Sequence, residues 1–224
     1  MTDPRVIAGL RAQLRDWRAA LDGGAARVGW KIGLNIPEAQ KALGIEEPVI
    51  GYLTSATVVD SGGQYSAGGD SSLRAEPEVA LEMGADVEPD ADADTAREAI
   101  AGLAVALELV DVTPPADDGI EAILAINVFH RAAVLGPSRP GFRGEGLAGA
   151  IHVNGEQREA AEVPDDFTDV VRLTARLLGE AGERLERGDR IIAGSLTPQV
   201  PLAVGDRVAV EIEDLGRVEA GIAP

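Results

Sequence analysis

The sequence predicts an α+β fold built around a large, mixed, strongly curved β-sheet with peripheral helices. Three observations carry this. Strand-like runs recur along the chain, at 28–34, 73–83, 103–112 and through the C-terminal region. Some neighbouring runs are joined by tight turns, as at Asn154-Gly155, while helix-length segments separate others. Hairpins mixed with crossovers give a sheet with both antiparallel and parallel pairs.

Residues 4–22 read as an amphipathic helix, because Val6, Leu10, Leu14, Trp17 and Leu21 recur at spacings of three or four and Gly23-Gly24 stops the pattern. Val28 to Leu34 reads as a strand. A short helix follows, with Asn35 as its cap and Pro37 in its first turn. Residues 56–72 are rich in Gly, Ser and Asp and read as loop with a little strand. Leu73 to Met83 alternates, with Glu76, Glu78, Ala80 and Glu82 on one face and Val79, Leu81 and Met83 on the other. An acidic turn, 86–94, leads to a helix near 95–102 and a strand over 103–112, which Pro114-Pro115 ends. A helix near 117–125 precedes a strand through Val134. Ile151 to Gln157 is a hairpin centred on Asn154-Gly155. Residues 165–182 are expected to be the longest helix, with Val170, Leu173, Leu177 and Leu178 on its buried side. The C-terminus is strand-rich, with turns at 204–206 and 214–216.

At 224 residues the chain suits one domain with one sizeable core: an N-terminal helix over 1–24 and the sheet over 25–224. No apolar run approaches the ~20 residues of a membrane span. The N-terminus lacks a basic start and apolar stretch, so the cytoplasm is the expected location. Cys is absent, which rules out disulfides and thiolate metal sites. A net charge of −18 argues against nucleic acid or an anionic membrane as partner. It also requires a locally positive site for any anionic substrate, and a metal ion would supply that charge. Lys31 and Lys41 are the only lysines; the other 18 of 20 basic residues are Arg, and no function is read into that bias.

Three carboxylates are the strongest chemical signal. Glu76 and Glu78 are i and i+2 of a strand and point to the same face. An E-x-E pair alone is ordinary for a solvated face. Glu108 is different, because it interrupts the apolar run 103–110, where a buried ionised carboxylate needs a partner. A hard divalent cation held by oxygens, Mg²⁺ or Mn²⁺, is such a partner. Lys31, between Gly29 and Gly33 in an apolar strand, either snorkels outward or lines a cleft. Lys31 is expected to bind substrate and to contribute little to folding. The Gly194–Pro198 segment, with Ser195 and Thr197, suits carboxylate binding or an ordinary turn. His130 is a core or a site histidine, and His152 a surface strand residue. With only those two His and no G-x-S-x-G elbow, a serine triad and a His-based zinc site are poorly supported.

Taken in order, Gly29-Trp30-Lys31-Ile32-Gly33-Leu34, Ala39-Gln40-Lys41-Ala42-Leu43-Gly44, Gly51-Tyr52-Leu53, Glu76-Pro77-Glu78-Val79-Ala80-Leu81 and Ala106-Leu107-Glu108-Leu109-Val110-Asp111 resemble the 2-oxopent-4-enoate hydratase branch of the fumarylacetoacetate hydrolase superfamily. Asn127, nine residues before Gly136, together with 188–197 and 204–208, continues the likeness, which runs from about Val28 to Ile222. The resemblance implies a rolled sheet like the C-terminal domain of that family, holding Mg²⁺ or Mn²⁺ through Glu76, Glu78 and Glu108. It implies a 2-oxo-acid substrate touched by Lys31, Asn127, Ser195 and Thr197, and a homo-oligomer. The chain departs from the branch in a shorter helical N-terminal region and in lacking acids near Val49 and Ala56. Phe129-His130 stands where the branch has small serines. His130 is then the candidate proton carrier beside Lys31.

The expected reaction is metal-dependent hydration of a 2-hydroxy-2,4-dienoate in aromatic catabolism. Alternatives on the same scaffold are decarboxylation of an oxalocrotonate-like acid and C–C hydrolysis of an acylpyruvate. A degenerate, non-catalytic 2-oxo-acid-binding subunit is the non-enzymatic alternative.

Overall fold

The computed structural model describes residues 2–68, 72–115, 119–141 and 146–224. Five helices are described: α1 (Pro4–Asp22), α2 (Pro37–Leu43), α3 (Ala93–Glu98), α4 (Ile120–Ala125) and α5 (Thr168–Ala181). The strands of the first half are β1 (Arg27–Gly33), β2 (Val49–Thr54), β3 (Gln64–Ser66), β4 (Leu73–Met83) and β5 (Ile100–Asp111). Those of the second are β6 (His130–Leu135), β7 (Arg139–Pro140), β8 (Ala148–Val153), β9 (Glu156–Glu162), β10 (Arg190–Ile192), β11 (Val200–Pro201), β12 (Arg207–Ile212) and β13 (Gly216–Ala223).

The mixed, curled sheet is present, hydrogen-bonded as two. One runs β2-β1-β10-β4-β5-β6, with β11 on β4 and β7 on β5; the other runs β3-β13-β12-β8-β9. β1 with β10 and β13 with β3 are the parallel pairs among the described strands. Leu81 and Val105 of the first sheet and Val208 and Val210 of the second share the main core with α1 and α5. The opposite face of the first sheet carries a small cluster, Ala80, Ala104, Ala106 and Ala133 with Leu53 and Ile192. Those short side chains leave the room in which the carboxylates sit.

Helix α1 matches the predicted span, started by Asp3, whose carboxylate accepts from the Arg5 N–H. The Asn154-Gly155 hairpin turn is formed with both residues at positive φ, 54° and 83°. Other expectations need correction. Ile36, not Asn35, precedes α2, and no side chain caps that helix. α3 ends at Glu98 because the strand ladder claims the chain from Ile100. The predicted helix start at 117 lies outside the described residues. α1, with 19 residues, is longer than α5, with 14. α5 begins late because Asp166 accepts from the Thr168 N–H at 2.8 Å. Its buried side runs through Val171, Thr174 and Leu178, whereas Val170 and Leu173 line an open cleft. His152 is partly buried on β8. Among the described residues no helix is long and apolar enough to cross a membrane.

Two glycines tie β1 to its neighbours. Gly29 has φ 146°, and a Cβ there would lie 2.0 Å from the Arg190 carbonyl oxygen. At Gly33 a Cβ would strike Val128 Cγ1 at 2.5 Å. The expected close backbone approach is met at Gly29, whereas Gly33 makes room for the Val128 side chain and so lets Lys31 lie alongside the 127–129 turn.

Candidate metal centre

β4 and β5 pair antiparallel, and the register sets Glu76 opposite Glu108 and Glu78 opposite Ala106. Side chains directly across a ladder share a face, so the i, i+2 pair of β4 and the lone acid of β5 converge. One carboxylate oxygen from each of the three lies within 4.8 Å of the others. Glu78 and Glu108 are wholly buried, and Glu76 is 9% exposed.

Pro77 sits mid-strand without breaking the sheet. Its carbonyl accepts from the Leu196 N–H, so its ring nitrogen faces the same irregular segment. There, between β10 and β11, no ladder needs an N–H. The same segment delivers two donors to the carboxylates. The Gly194 N–H bonds Glu78 Oε2 at 2.8 Å, and Gln199 Nε2 bonds Glu76 Oε1 at 2.5 Å. Glu78 Oε1 is buried with no partner.

Glu108 is held from two sides. Lys31 Nζ lies 3.1 Å from its Oε1 and donates to the Val128 carbonyl at 3.0 Å. His130 Nδ1 is 2.7 Å from the same Oε1, and its Nε2 meets Thr57 Oγ1 at 3.1 Å. Burial pushes Glu76 up to about 7, with repulsion from Glu108 adding to it and Lys31 and Gln199 opposing. Burial, then Glu108 and Glu76, raise Glu78 well above the usual carboxylate range. Glu108 lies below that range, because Lys31 and His130 outweigh its burial. Lys31 lies above its ordinary value: burial opposes its charge, but Glu108, Glu76 and Glu78 together prevail.

A cavity of about 210 Å³ opens beside Glu76, lined by Lys31, Asn35 and Gln199 and otherwise by mainly apolar side chains. Lys31 therefore does not snorkel; it is 2% exposed and lines the cleft. His130 lies behind Glu108 and reaches the site through it. Asn127 is differently employed from what was expected of a substrate ligand. Its amide accepts from the Tyr52 N–H at 2.8 Å and donates to the Tyr52 carbonyl at 2.9 Å. That clamp holds a turn in which Asn127, Val128 and Phe129 all have positive φ, from 51° to 65°. Such a conformation is costly for a β-branched residue and persists only when its surroundings impose it. The turn aims the Val128 carbonyl at Lys31.

Ser195 and Thr197 also differ from expectation. Ser195 Oγ donates to the Thr197 carbonyl and Thr197 Oγ1 to the Pro198 carbonyl. The segment's groups that do touch the carboxylates are the Gly194 N–H, within the segment singled out from the sequence, and Gln199, which the sequence reading missed. Gln199 is legible only as a polar residue following a segment already singled out. At the two positions where acids are missing, Val49 is packed with Val6 and Ile45, and Ala56 is on the surface.

Three converging acids, one unsatisfied oxygen and a flanking Lys form an all-oxygen cradle of the kind that hard divalent cations take. Residues 29–223 match the family model described as the C-terminal domain of fumarylacetoacetate hydrolase. The chain belongs to the fumarylacetoacetate hydrolase family. Within it, the chain is 29% identical over 218 residues to the TodF product hydratase of Pseudomonas putida, covering 91% of this chain and 79% of that protein. It is 27% identical over 201 residues to a 4-oxalocrotonate decarboxylase of a Pseudomonas species, covering 88% and 78%. The fold is that of the 4-oxalocrotonate decarboxylase from Pseudomonas putida G7 complexed with magnesium and adipate, at TM-score 0.84 and 24% identity over 94% of this chain and 83% of that one.

Proposed function

We propose that this chain is a metal-dependent lyase that hydrates a 2-hydroxy-2,4-dienoate, or its 2-oxo-4-enoate tautomer, in the breakdown of aromatic compounds. The observation that carries it is the buried Glu76–Glu78–Glu108 cluster opening beside Lys31. Likeness to a hydratase over 91% of the chain supports the reaction class.

Glu76, Glu78 and Glu108 would hold Mg²⁺ or Mn²⁺; the unpartnered Glu78 Oε1 and the raised Glu76 and Glu78 carboxyls fit a missing positive charge. A cation bound there supplies Lewis-acid polarisation of the 2-oxo group. Gln199 fixes one oxygen of Glu76, and Gly194 one oxygen of Glu78. Lys31 keeps its proton, since the carboxylates raise its affinity for it. It therefore offers the substrate carboxylate or a developing oxyanion a positive charge and a donor rather than acting as a base. His130 orients Glu108 through Nδ1 and acts on the reaction through that carboxylate. The mainly apolar walls exclude bulk water, which strengthens these charges.

The test is loss of 2-hydroxypenta-2,4-dienoate absorbance with added Mg²⁺ or Mn²⁺, run beside the Glu78→Gln variant. Wild-type turnover that the variant lacks is the expected outcome. Decarboxylation is the second reading, favoured by the 27% identity to a 4-oxalocrotonate decarboxylase. Release of CO₂ from 4-oxalocrotonate with no dienoate hydration would select it. Homo-oligomerisation belongs to the same proposal. Light scattering giving the 23.2 kDa monomer mass across micromolar concentrations would remove it.

A further inference from the structure

Resting on the 2-oxo-acid assignment, we infer that the cavity beside the carboxylates is a subsite for an uncharged hydrocarbon tail, and that it selects against acids with a second carboxylate at that end. Beyond Lys31, Glu76, Asn35 and Gln199 its walls are apolar side chains and Gly33, with Ile36, Val110, Val128 and Phe129 among them. Lys31 is the cation of the described lining, and it is bonded to Glu108 and the Val128 carbonyl. Its charge serves the end of the substrate that meets the carboxylate cluster. Gln199, a polar neighbour, has its Nε2 committed to Glu76. A tail carboxylate would thus lose its hydration against apolar walls, with Glu76 nearby, and meet no uncommitted cation among the described lining residues.

Two further features point the same way. Among the described residues Ile36 and Val204 are the large hydrophobic side chains left exposed, and Ile36, 49% exposed, faces this cavity. Ile36 immediately precedes α2, in which no residue is fully buried. An apolar ligand tail is what would cover it. The opposite wall, Val128 and Phe129, is held in place at positive φ by the Asn127 clamp on Tyr52. The volume, about 210 Å³, suits a short linear acid.

The experiment compares two six-carbon acids that differ only in the terminal group, 2-oxohexanoate and 2-oxoadipate. Each is titrated calorimetrically into Mn²⁺-loaded protein. We expect 2-oxohexanoate to bind at least about tenfold more tightly, the penalty falling on the desolvated second carboxylate. Ile36→Lys, at a position exposed enough to leave folding intact, should shrink or reverse the ratio. Equal or tighter binding of 2-oxoadipate to the wild type overturns the inference alone. Arg74, on the same face of β4 as Glu76 and with its Nε buried and unpartnered, would then be the group to test, as Arg74→Met. An unchanged ratio in Ile36→Lys also overturns it. If Mn²⁺ binds but neither acid does, the 2-oxo-acid assignment falls, and this inference with it.

Discussion

Glu76 and Glu108 face each other directly across the β4–β5 ladder. Like charges in that relation repel, and here both are buried. Lys31 neutralises Glu108, which His130 also hydrogen-bonds, and among the described residues Gln199 is the donor to Glu76. The pair stores repulsion that a divalent cation would relieve.

That repulsion predicts a pH signature. A carboxyl whose folded pKa lies above its unfolded value stabilises the fold while protonated and loses that contribution as pH rises. Glu76 moves from 4.5 to about 7, so metal-free protein should lose stability across that window. Glu108 is shifted down and works in the opposite sense, but only below its ordinary range. Net charge adds a background slope of the same direction, so the decisive comparison is with Glu76→Gln, which should be flatter. Saturating Mn²⁺ should also flatten the wild type. Calorimetric melts with chelator and with Mn²⁺ check this; equal slopes in wild type and variant would refute it.

Lys31→Met should be more damaging than its isolated position in the sequence suggests. Lys31 is buried against Glu108, and breaking a buried ion pair costs about 3 kcal/mol, at the low end because Glu108 can take up a proton. Denaturant melts of metal-free protein measure this. A loss below about 1 kcal/mol, as for a substitution outside any network, would return Lys31 to a purely ligand-facing role. Affinity for a 2-oxo acid should fall strongly in either case.

Gln199→Leu removes the donor to Glu76 and leaves the partly exposed backbone intact. Groups that orient metal ligands are worth about 10–100-fold in affinity, so Mn²⁺ should bind about tenfold more weakly with an unchanged metal-free melting temperature. Mn²⁺ titration followed by electron paramagnetic resonance reads it directly. Unaltered affinity would make the contact incidental.

His130→Asn retains a nitrogen near Nδ1 and should keep most of the orientation of Glu108, whereas His130→Ala should not. If His130 works through Glu108, Mn²⁺ affinity and C3 proton exchange of a bound 2-oxo acid should fall together in the Ala variant and recover together in the Asn variant. Turnover lost in both variants with exchange retained would instead make His130 a direct proton carrier after enolisation.

Asn127→Ala deletes two hydrogen bonds and frees the Tyr52 backbone groups they satisfy. The expected loss is about 1–2 kcal/mol, from a partly buried donor and acceptor left unpaired. Urea unfolding measures it, and a loss near zero would mean that the positive-φ turn holds itself.

Periodicity and spacing made the carboxylate centre legible in the sequence. Glu76 and Glu78 share a face because strands repeat every two residues, and Glu108 stood out because a charge in an apolar strand needs a partner. The α1 span and the β8–β9 hairpin were legible for the same reason: caps, turns and amphipathic spacing are local. Gln199, by contrast, carries no local signal, since its partner Glu76 is 123 positions away. Ser195 and Thr197 show in the structure only hydroxyl bonds within their own turn, to the Thr197 and Pro198 carbonyls. The structural role of Asn127 was not legible, because the Tyr52 groups it bonds lie 75 positions away on β2.

By itself, then, the sequence determined the element types, the E-x-E face and the need of Glu108 for a cation, all set by dihedral geometry and by the cost of burying charge. Only the tertiary structure decided which cation reaches Glu108, that His130 stands behind it, and that the 127–129 turn forms an apolar wall. Those depend on strand register and on glycines that allow backbones to approach, and both are fixed only when distant segments pack together.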